Sequence, residues 1–177
     1  MKETFYFFLI LSSNLCFSQF AIVHDADGYV NVRNTPKTGN NVTEDNSIST
    51  QLYTKCFENL NQGAEIFEKY PALKNNPFCS IITCSFLLSY KEKDIQIAGE
   101  NRLTGIATQL FREGNPVNLV MGMESFLWVK KENENLEDNN HIVYISYGEC
   151  TNPYYLTRAA EIVNKQTELL IKQASSK

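Results

Sequence analysis

Short apolar segments separated by polar turns follow one another along most of the chain. Phe20–His24 and Tyr29–Arg33 each have the length of a strand, and the turn residues Asp25–Gly28 separate them. Phe78–Tyr90 is rich in β-branched and aromatic residues and is followed by the charged Lys91–Asp94. The pattern predicts an opening hairpin and, later, the first arm of a second one.

Further strand candidates alternate with turn signals toward the C-terminus. Gly99-Glu100-Asn101 and residues 113–116 are typical of turns, and residues 132–140 form a strongly polar loop. Six or more strand candidates in succession predict an antiparallel sheet or a barrel, since alternating helices are not indicated between them. The later candidates are Ile95–Ala98, Leu103–Phe111, Val117–Met121, Phe126–Lys131 and His141–Tyr147.

The C-terminal residues 151–177 have a different period. Asn152 can cap a helix, and Pro153 suits the first helical position because its missing N–H is not needed there. The following apolar residues recur at helical spacing and predict one helix packed on the sheet. They are Leu156, Ala159, Ala160, Val163, Thr167, Leu170 and Ala174.

The N-terminal residues 1–18 have the order of a secretory signal peptide. A short charged start precedes the apolar run Phe5–Leu11, and small residues favour cleavage after Ser18. A lipid anchor on Cys16 is the weaker alternative, since Leu15 is bulky for that kind of signal. We therefore expect a secreted or periplasmic protein with a β-rich domain at 19–150 and no transmembrane segment once the signal is removed.

Composition and motifs exclude several functions. The net charge is −4 and no basic stripe is present, so nucleic acid is not expected as a partner. The motifs Gly-x-Ser-x-Gly and His-Glu-x-x-His and a phosphate loop are all absent from the sequence, so we predict no catalytic residue and no cofactor. Asp25–Gly28 begins like a calcium loop but lacks the later ligands, so we predict no metal site. The alternative function is a small secreted hydrolase that uses carboxylates or a Cys–His pair.

Four cysteines remain after Cys16 leaves with the signal: Cys56, Cys79, Cys84 and Cys150. An even number in an exported chain predicts disulfides, with three possible connectivities. If residues 79–84 form a strand, these two cysteines point to opposite faces and pair poorly. Two longer-range bridges that involve Cys56 and Cys150 are therefore expected.

One segment resembles a known family. Gly28, Asn31-Val32-Arg33 and Pro36 are similar to the opening of the bacterial SH3-like domains of exported proteins, over residues 20–45. The resemblance implies a small β-barrel in which Asn31 and Arg33 organise the first long loop. Trp128-Val129-Lys130 and Val143-Tyr144-Ile145 would then supply late strands after a large insertion. Such modules bind cell-wall peptide or glycan, or other proteins, and are not catalytic.

Together these observations predict a mainly β fold, an antiparallel sheet or an SH3-like barrel with an insertion, plus a C-terminal α-helix. The expected function is that of an exported, non-enzymatic binding or cell-envelope protein. Its partner would be cell-wall peptide or glycan, or another envelope protein. The candidate binding residues are Tyr29, Asn31, Arg33, Trp128, Tyr144 and Tyr147.

Overall fold

The computed structural model describes most of the chain after residue 46. The described residues are 47–122, 124–134, 136, 141–148 and 151–176, together with two short strands nearer the N-terminus. The chain divides into two compact units, Met1–Val42 and Thr43–Lys177.

The first unit contains an antiparallel strand pair. Strand β1 (Val23–His24) pairs with β2 (Val30–Asn31), and Val23 lies opposite Asn31. Both strands fall inside the segments predicted as an opening hairpin. The turn at Asp25–Gly28 lies outside the described residues, and so do Val32, Arg33 and Pro36 of the SH3-like resemblance.

The second unit is mostly helical, so the predicted mainly β fold is wrong. The described part of this unit contains two strands, six α-helices and one 3₁₀ helix. The elements in chain order are α1 (Ile48–Thr54), α2 (Ile66–Lys69), a 3₁₀ helix (Pro71–Asn75), α3 (Ile81–Leu87), α4 (Lys93–Arg112), β3 (Val117–Met121), α5 (Ser125–Asn133), β4 (Val143–Gly148) and α6 (Tyr154–Ser175).

Helix α3 occupies part of the segment predicted as a hairpin arm. Ser80 and Thr83 form a capping box, in which the Ser80 hydroxyl accepts from the Thr83 N–H and the Thr83 hydroxyl accepts from the Ser80 N–H. This pair satisfies two backbone donors that a helix start leaves without partners. The β-branched composition of the segment favours a strand only weakly, and the cap together with tertiary packing outweighs it.

Helix α4 replaces two predicted strands and the turn between them. Its buried residues include Ile95, Leu103, Ile106 and Leu110, which recur every three to four positions or multiples of that spacing. Gly99, predicted as part of a turn, lies inside the helix where α3 crosses it. A Cβ atom at this position would lie 2.8 Å from the Leu87 Cβ, so glycine permits the close approach of the two helices.

The sheet of this unit is parallel, which corrects the predicted antiparallel sheet or barrel. Strand β3 pairs with β4, with Val117 opposite Val143 and Leu119 opposite Ile145. Helix α5 makes the crossover that a parallel pair requires. The predicted strands at 117–121 and 141–147 coincide closely with β3 and β4, whereas the one predicted at Phe126–Lys131 lies in α5.

The core lies between one face of this sheet and helices α3, α4 and α6. Helix α6 falls within the range assigned to a C-terminal helix and packs on both α4 and β3. Alternate residues of β4 point into the core, as the period of two requires. The fully buried side chains include Ile81, Leu103, Ile106, Leu110, Val117, Val143, Ile145 and Val163.

Asparagine side chains pair with both outer edges of the two-stranded sheet. On the β3 edge, the Asn164 Oδ1 accepts from the Leu119 N–H at 2.7 Å and its Nδ2 donates to the Leu119 carbonyl at 2.9 Å. On the β4 edge, Asn133 makes the same two bonds to Tyr144, both at 2.8 Å. Each amide thus occupies the backbone positions that a further strand would use.

A buried arginine holds both ends of a disulfide-closed loop. Cys56 and Cys79 form a disulfide, and Arg102 of α4 is 7% exposed beneath the loop between them. Its Nη1 donates to the Phe78 carbonyl at 2.6 Å and its Nη2 to the Leu60 carbonyl at 3.4 Å. The guanidinium also lies 4.7 Å from the ring centre of Phe67. Arg102 therefore ties this loop to α4 independently of the disulfide.

Among the residues that the structure describes, no helix combines the length and the apolar character that crossing a membrane requires.

Candidate functional site

Helix α5 presents three consecutive large apolar side chains to solvent. Phe126 is 63% exposed, Leu127 69% and Trp128 42%. Ser125 and Val129, one turn apart, are buried against the sheet. At 3.6 residues per turn, Leu127 lies on the side of the helix opposite these two buried residues, and Phe126 and Trp128 lie on its two flanks. We call Phe126, Leu127 and Trp128 the α5 outer face.

Both ends of α5 are fixed to strand β4. At the start, the Ser125 and Ser146 hydroxyls are hydrogen-bonded at 2.7 Å. At the end, Asn133 makes its two bonds to the Tyr144 backbone and also donates to the Ser49 hydroxyl at 2.8 Å. The Ser49 hydroxyl in turn donates to the Tyr144 carbonyl at 2.8 Å. The α5 outer face is thus held on a fixed frame, which lowers the ordering cost of a contact.

The structure brings together two of the predicted binding residues, Trp128 and Tyr144. Their ring centres are 4.7 Å apart in an edge-to-face arrangement, and Tyr144 is half-buried beside the α5 outer face. Such pairs stabilise the orientation of the rings beyond simple burial. Trp128 keeps enough exposed surface to contact a ligand.

Tyr147, another predicted binding residue, lies apart from this pair. It is three residues after Tyr144, so the strand turns it to the opposite face of the sheet, where it is 5% exposed. Its hydroxyl donates to the Ser85 hydroxyl at 2.5 Å, and its ring packs edge-on against Tyr53. Burial raises the pKa of the Tyr147 hydroxyl. The residue is part of the core.

The remaining predicted binding residues belong to the first unit. Asn31 is the last residue of β2, and Tyr29 and Arg33 lie outside the described residues. Phe126 and Leu127, the two most exposed residues of the α5 outer face, were not predicted as binding residues, because a strand at Phe126–Lys131 would have alternated between two faces. The residues on the sheet side of the helix recur every four positions, and this spacing is the sequence signal for a helix. They are Ser125, Val129 and Asn133.

Two disulfides were predicted from four cysteines, and the described residues contain one disulfide and one free thiol. Cys56 bonds to Cys79, whereas Cys84 is a free thiol buried in the core, and Cys150 lies outside the described residues. Burial raises the pKa of the Cys84 thiol to about 12. Since the thiolate is the reactive form, Cys84 is a poor nucleophile at neutral pH.

Other polar clusters have structural partners. Lys69 and the Tyr70 hydroxyl both donate to Asp94 at the start of α4, and the bond from Lys69 lowers the pKa of that carboxyl. A groove of about 750 Å³ runs along α6, but its Arg158 is paired with Glu100 at 3.1 Å. Within the described part of the chain, no three His, Cys, Asp or Glu side chains are grouped so as to hold a metal ion.

The α5 outer face with Tyr144 is therefore the strongest candidate for a contact surface. Comparison of this chain with protein-family models, with curated proteins and with solved structures finds no match.

Proposed function

We propose that this protein is an exported, non-enzymatic binding protein of the cell envelope and that the α5 outer face is its contact surface. The observation that carries the proposal is the exposure of three adjacent large apolar side chains on one anchored helix. From the usual areas of such side chains, the exposed apolar surface is about 300 Å². Patches of this size on a monomer are often functional.

The chemistry of the face supports binding. Tryptophan is among the residues that contribute most to interfaces, and Trp128 is oriented by Tyr144. Leu127 and Phe126 add apolar surface around it, and Lys130 lies on the same exposed side. A ligand that fits this face offers apolar or ring surface next to acidic groups, as peptide-bearing cell-wall polymers and envelope proteins do.

One feature of the sequence and one of the structure support an envelope location. Residues 1–18 have the pattern of a secretory signal, and the Cys56–Cys79 disulfide is compatible with an oxidising compartment. The resemblance of residues 28–36 to bacterial SH3-like domains supports the same ligand class, namely cell-wall peptide or glycan, or another envelope protein.

The test is retention of the purified mature protein on isolated peptidoglycan and on immobilised envelope proteins. A variant that carries Leu127→Ser and Trp128→Ala removes most of the exposed apolar surface without touching the core. Tyr154→Ser is the matched control, because Tyr154 is 79% exposed on a different helix.

We expect the parent and the Tyr154→Ser protein to be retained on one of the two matrices and the double variant to be lost from it. Equal retention of all three proteins would exclude the α5 outer face as the contact surface. Failure of the parent to bind either matrix would refute the envelope-binding function.

A further inference from the structure

The outward side of α5 carries a charged residue at each end of its apolar part. Glu124, at the N-cap, is exposed, and so is Lys131 near the C-terminal end. Steps of three, one and three positions separate four exposed residues of this side: Glu124, Leu127, Trp128 and Lys131. Residues at i, i+3, i+4 and i+7 form one stripe along a helix, so these four side chains share a line. We call them the α5 stripe.

The α5 stripe is complementary to itself. In chain order it is acidic, apolar, aromatic and basic. When a second copy of the helix runs in the opposite direction, Glu124 of one copy lies opposite Lys131 of the other. Leu127 of each copy then lies opposite Trp128 of the other. Every contact occurs twice, as in any two-fold symmetric interface.

We propose that the α5 stripe is a self-association surface, on which α5 of a second copy packs antiparallel to the first. The inference rests on the proposed function, since both require the α5 outer face as a contact surface, but it names the partner as this chain itself. Opposite charges at both ends of the stripe fix the direction and register of the pair. A parallel arrangement would place like charges together.

The area of the surface sets the strength of this association. The two apolar residues of the α5 stripe, Leu127 and Trp128, expose about 200 Å² per copy, well below the roughly 800 Å² per partner of a stable interface. The dimer is therefore weak and forms only at high protein concentration. Because α5 is already anchored at Ser125 and Asn133, pairing does not require the helix to form or to move.

Sedimentation of the mature protein across a range of concentrations up to about 1 mM tests the proposal. We expect the average mass to rise from monomer toward dimer, and Trp128→Ala to stay monomeric over the same range. Tyr154→Ser, on α6, is the control that should associate like the parent.

Charge reversal makes the test specific to the antiparallel pair. Glu124→Lys alone places two lysines opposite each other, and Lys131→Glu alone places two glutamates opposite each other, so each variant should associate at least several-fold more weakly. An equimolar mixture of the two variants places opposite charges at both ends again. We expect the mixture to recover dimer, which a folding defect in either variant would prevent.

Two results would overturn the proposal. One is a parent protein that stays monomeric at the highest concentration. The other is a mixture of the charge variants that associates no better than each variant alone. A monomer that is nevertheless retained on peptidoglycan through Trp128 would refute self-association and leave the envelope function standing. A dimer with the expected charge dependence that binds neither matrix would support self-association and refute the envelope function.

Discussion

Replacing Arg102 with methionine is expected to lower the free energy of unfolding by about 3 kcal/mol. The side chain is 7% exposed, and its Nη1 donates to the Phe78 carbonyl at 2.6 Å. A hydrogen bond to a charged group contributes roughly 1.5–3 kcal/mol. The bond to the Leu60 carbonyl is longer, at 3.4 Å, and contributes less. The contact with the Phe67 ring adds roughly 0.5–2 kcal/mol.

Two effects oppose this loss. Methionine fills much of the volume of arginine, so the variant leaves little cavity. It also removes the cost of burying a guanidinium whose Nε has no hydrogen-bond partner among the residues that the structure describes. The lost bond to Phe78 and the lost ring contact lower the free energy of unfolding by more than these two effects raise it. The reason is that the buried Phe78 carbonyl loses this donor.

Urea unfolding followed by far-ultraviolet circular dichroism measures the effect. The matched control is Arg158→Met, since Arg158 lies on the surface and pairs with Glu100 at 3.1 Å and Glu161 at 3.4 Å. Exposed pairs of this kind contribute less than about 1 kcal/mol. If Arg102→Met costs no more than Arg158→Met with the same dependence on urea, Arg102 does not hold the loop as described.

Three further outcomes follow from buried and paired groups. In a Cys150→Ser variant of the mature chain, thiol titration should detect no thiol in the native protein and one, Cys84, after unfolding in denaturant; rapid reaction of the native protein would contradict its burial. Tyr147→Phe should cost about 1 kcal/mol in chemical unfolding by removing one buried hydrogen bond, and an unchanged midpoint would argue against that bond. The pKa of Asp94 is lowered in the folded protein, chiefly by the bond from Lys69. The ionised carboxylate therefore stabilises the folded state above the carboxyl's unfolded pKa, and this stabilisation is lost as pH falls through the folded pKa. Asp94→Asn should therefore flatten the acid side of the stability profile, and a profile identical to the parent's would show that this pair does not matter.

The strands of the second unit were predictable because their patterns are simple. Val117–Met121 and Val143–Gly148 alternate or are continuously apolar and are bounded by turn residues. The long helix α6 was predictable from the 3.6 period of its small and apolar residues. In these segments the local pattern and the tertiary structure favour the same conformation.

The composition of the segments that form α3, α4 and α5 favours strands, although the structure forms helices there. Gly99 is typical of a turn by residue type, but it lies at the crossing of α3 and α4, which only tertiary structure reveals. Ile81 and Ile82 favour a strand by propensity, but the capping box at Ser80 starts a helix. The residues of the capping box, Ser80 and Thr83, can be read from the sequence. The crossing of α3 and α4 at Gly99 cannot.

The candidate site was predictable only in part. Trp128 and Tyr144 were both predicted as binding residues, and they lie together in the structure, but through a parallel crossover and not through adjacent strands. Their contact depends on Asn133, whose bonds to the β4 edge place α5 over the sheet. Asn133 and Tyr144 are 11 positions apart, and their bonds form only when both the helix and the strand have formed. The local sequence pattern therefore does not predict them.

The asparagines on the sheet edges have a consequence for aggregation. A two-stranded sheet has an outer edge on every strand, and open edges are the usual templates for the growth of intermolecular β-structure. Here Asn164 and Asn133 pair with the backbone at the middle of β3 and near the start of β4. An incoming chain would first have to displace an amide held at two points. Leucine, nearly the same size as asparagine but unable to make these bonds, would open either edge, and fibril formation of such a variant would then begin at that edge.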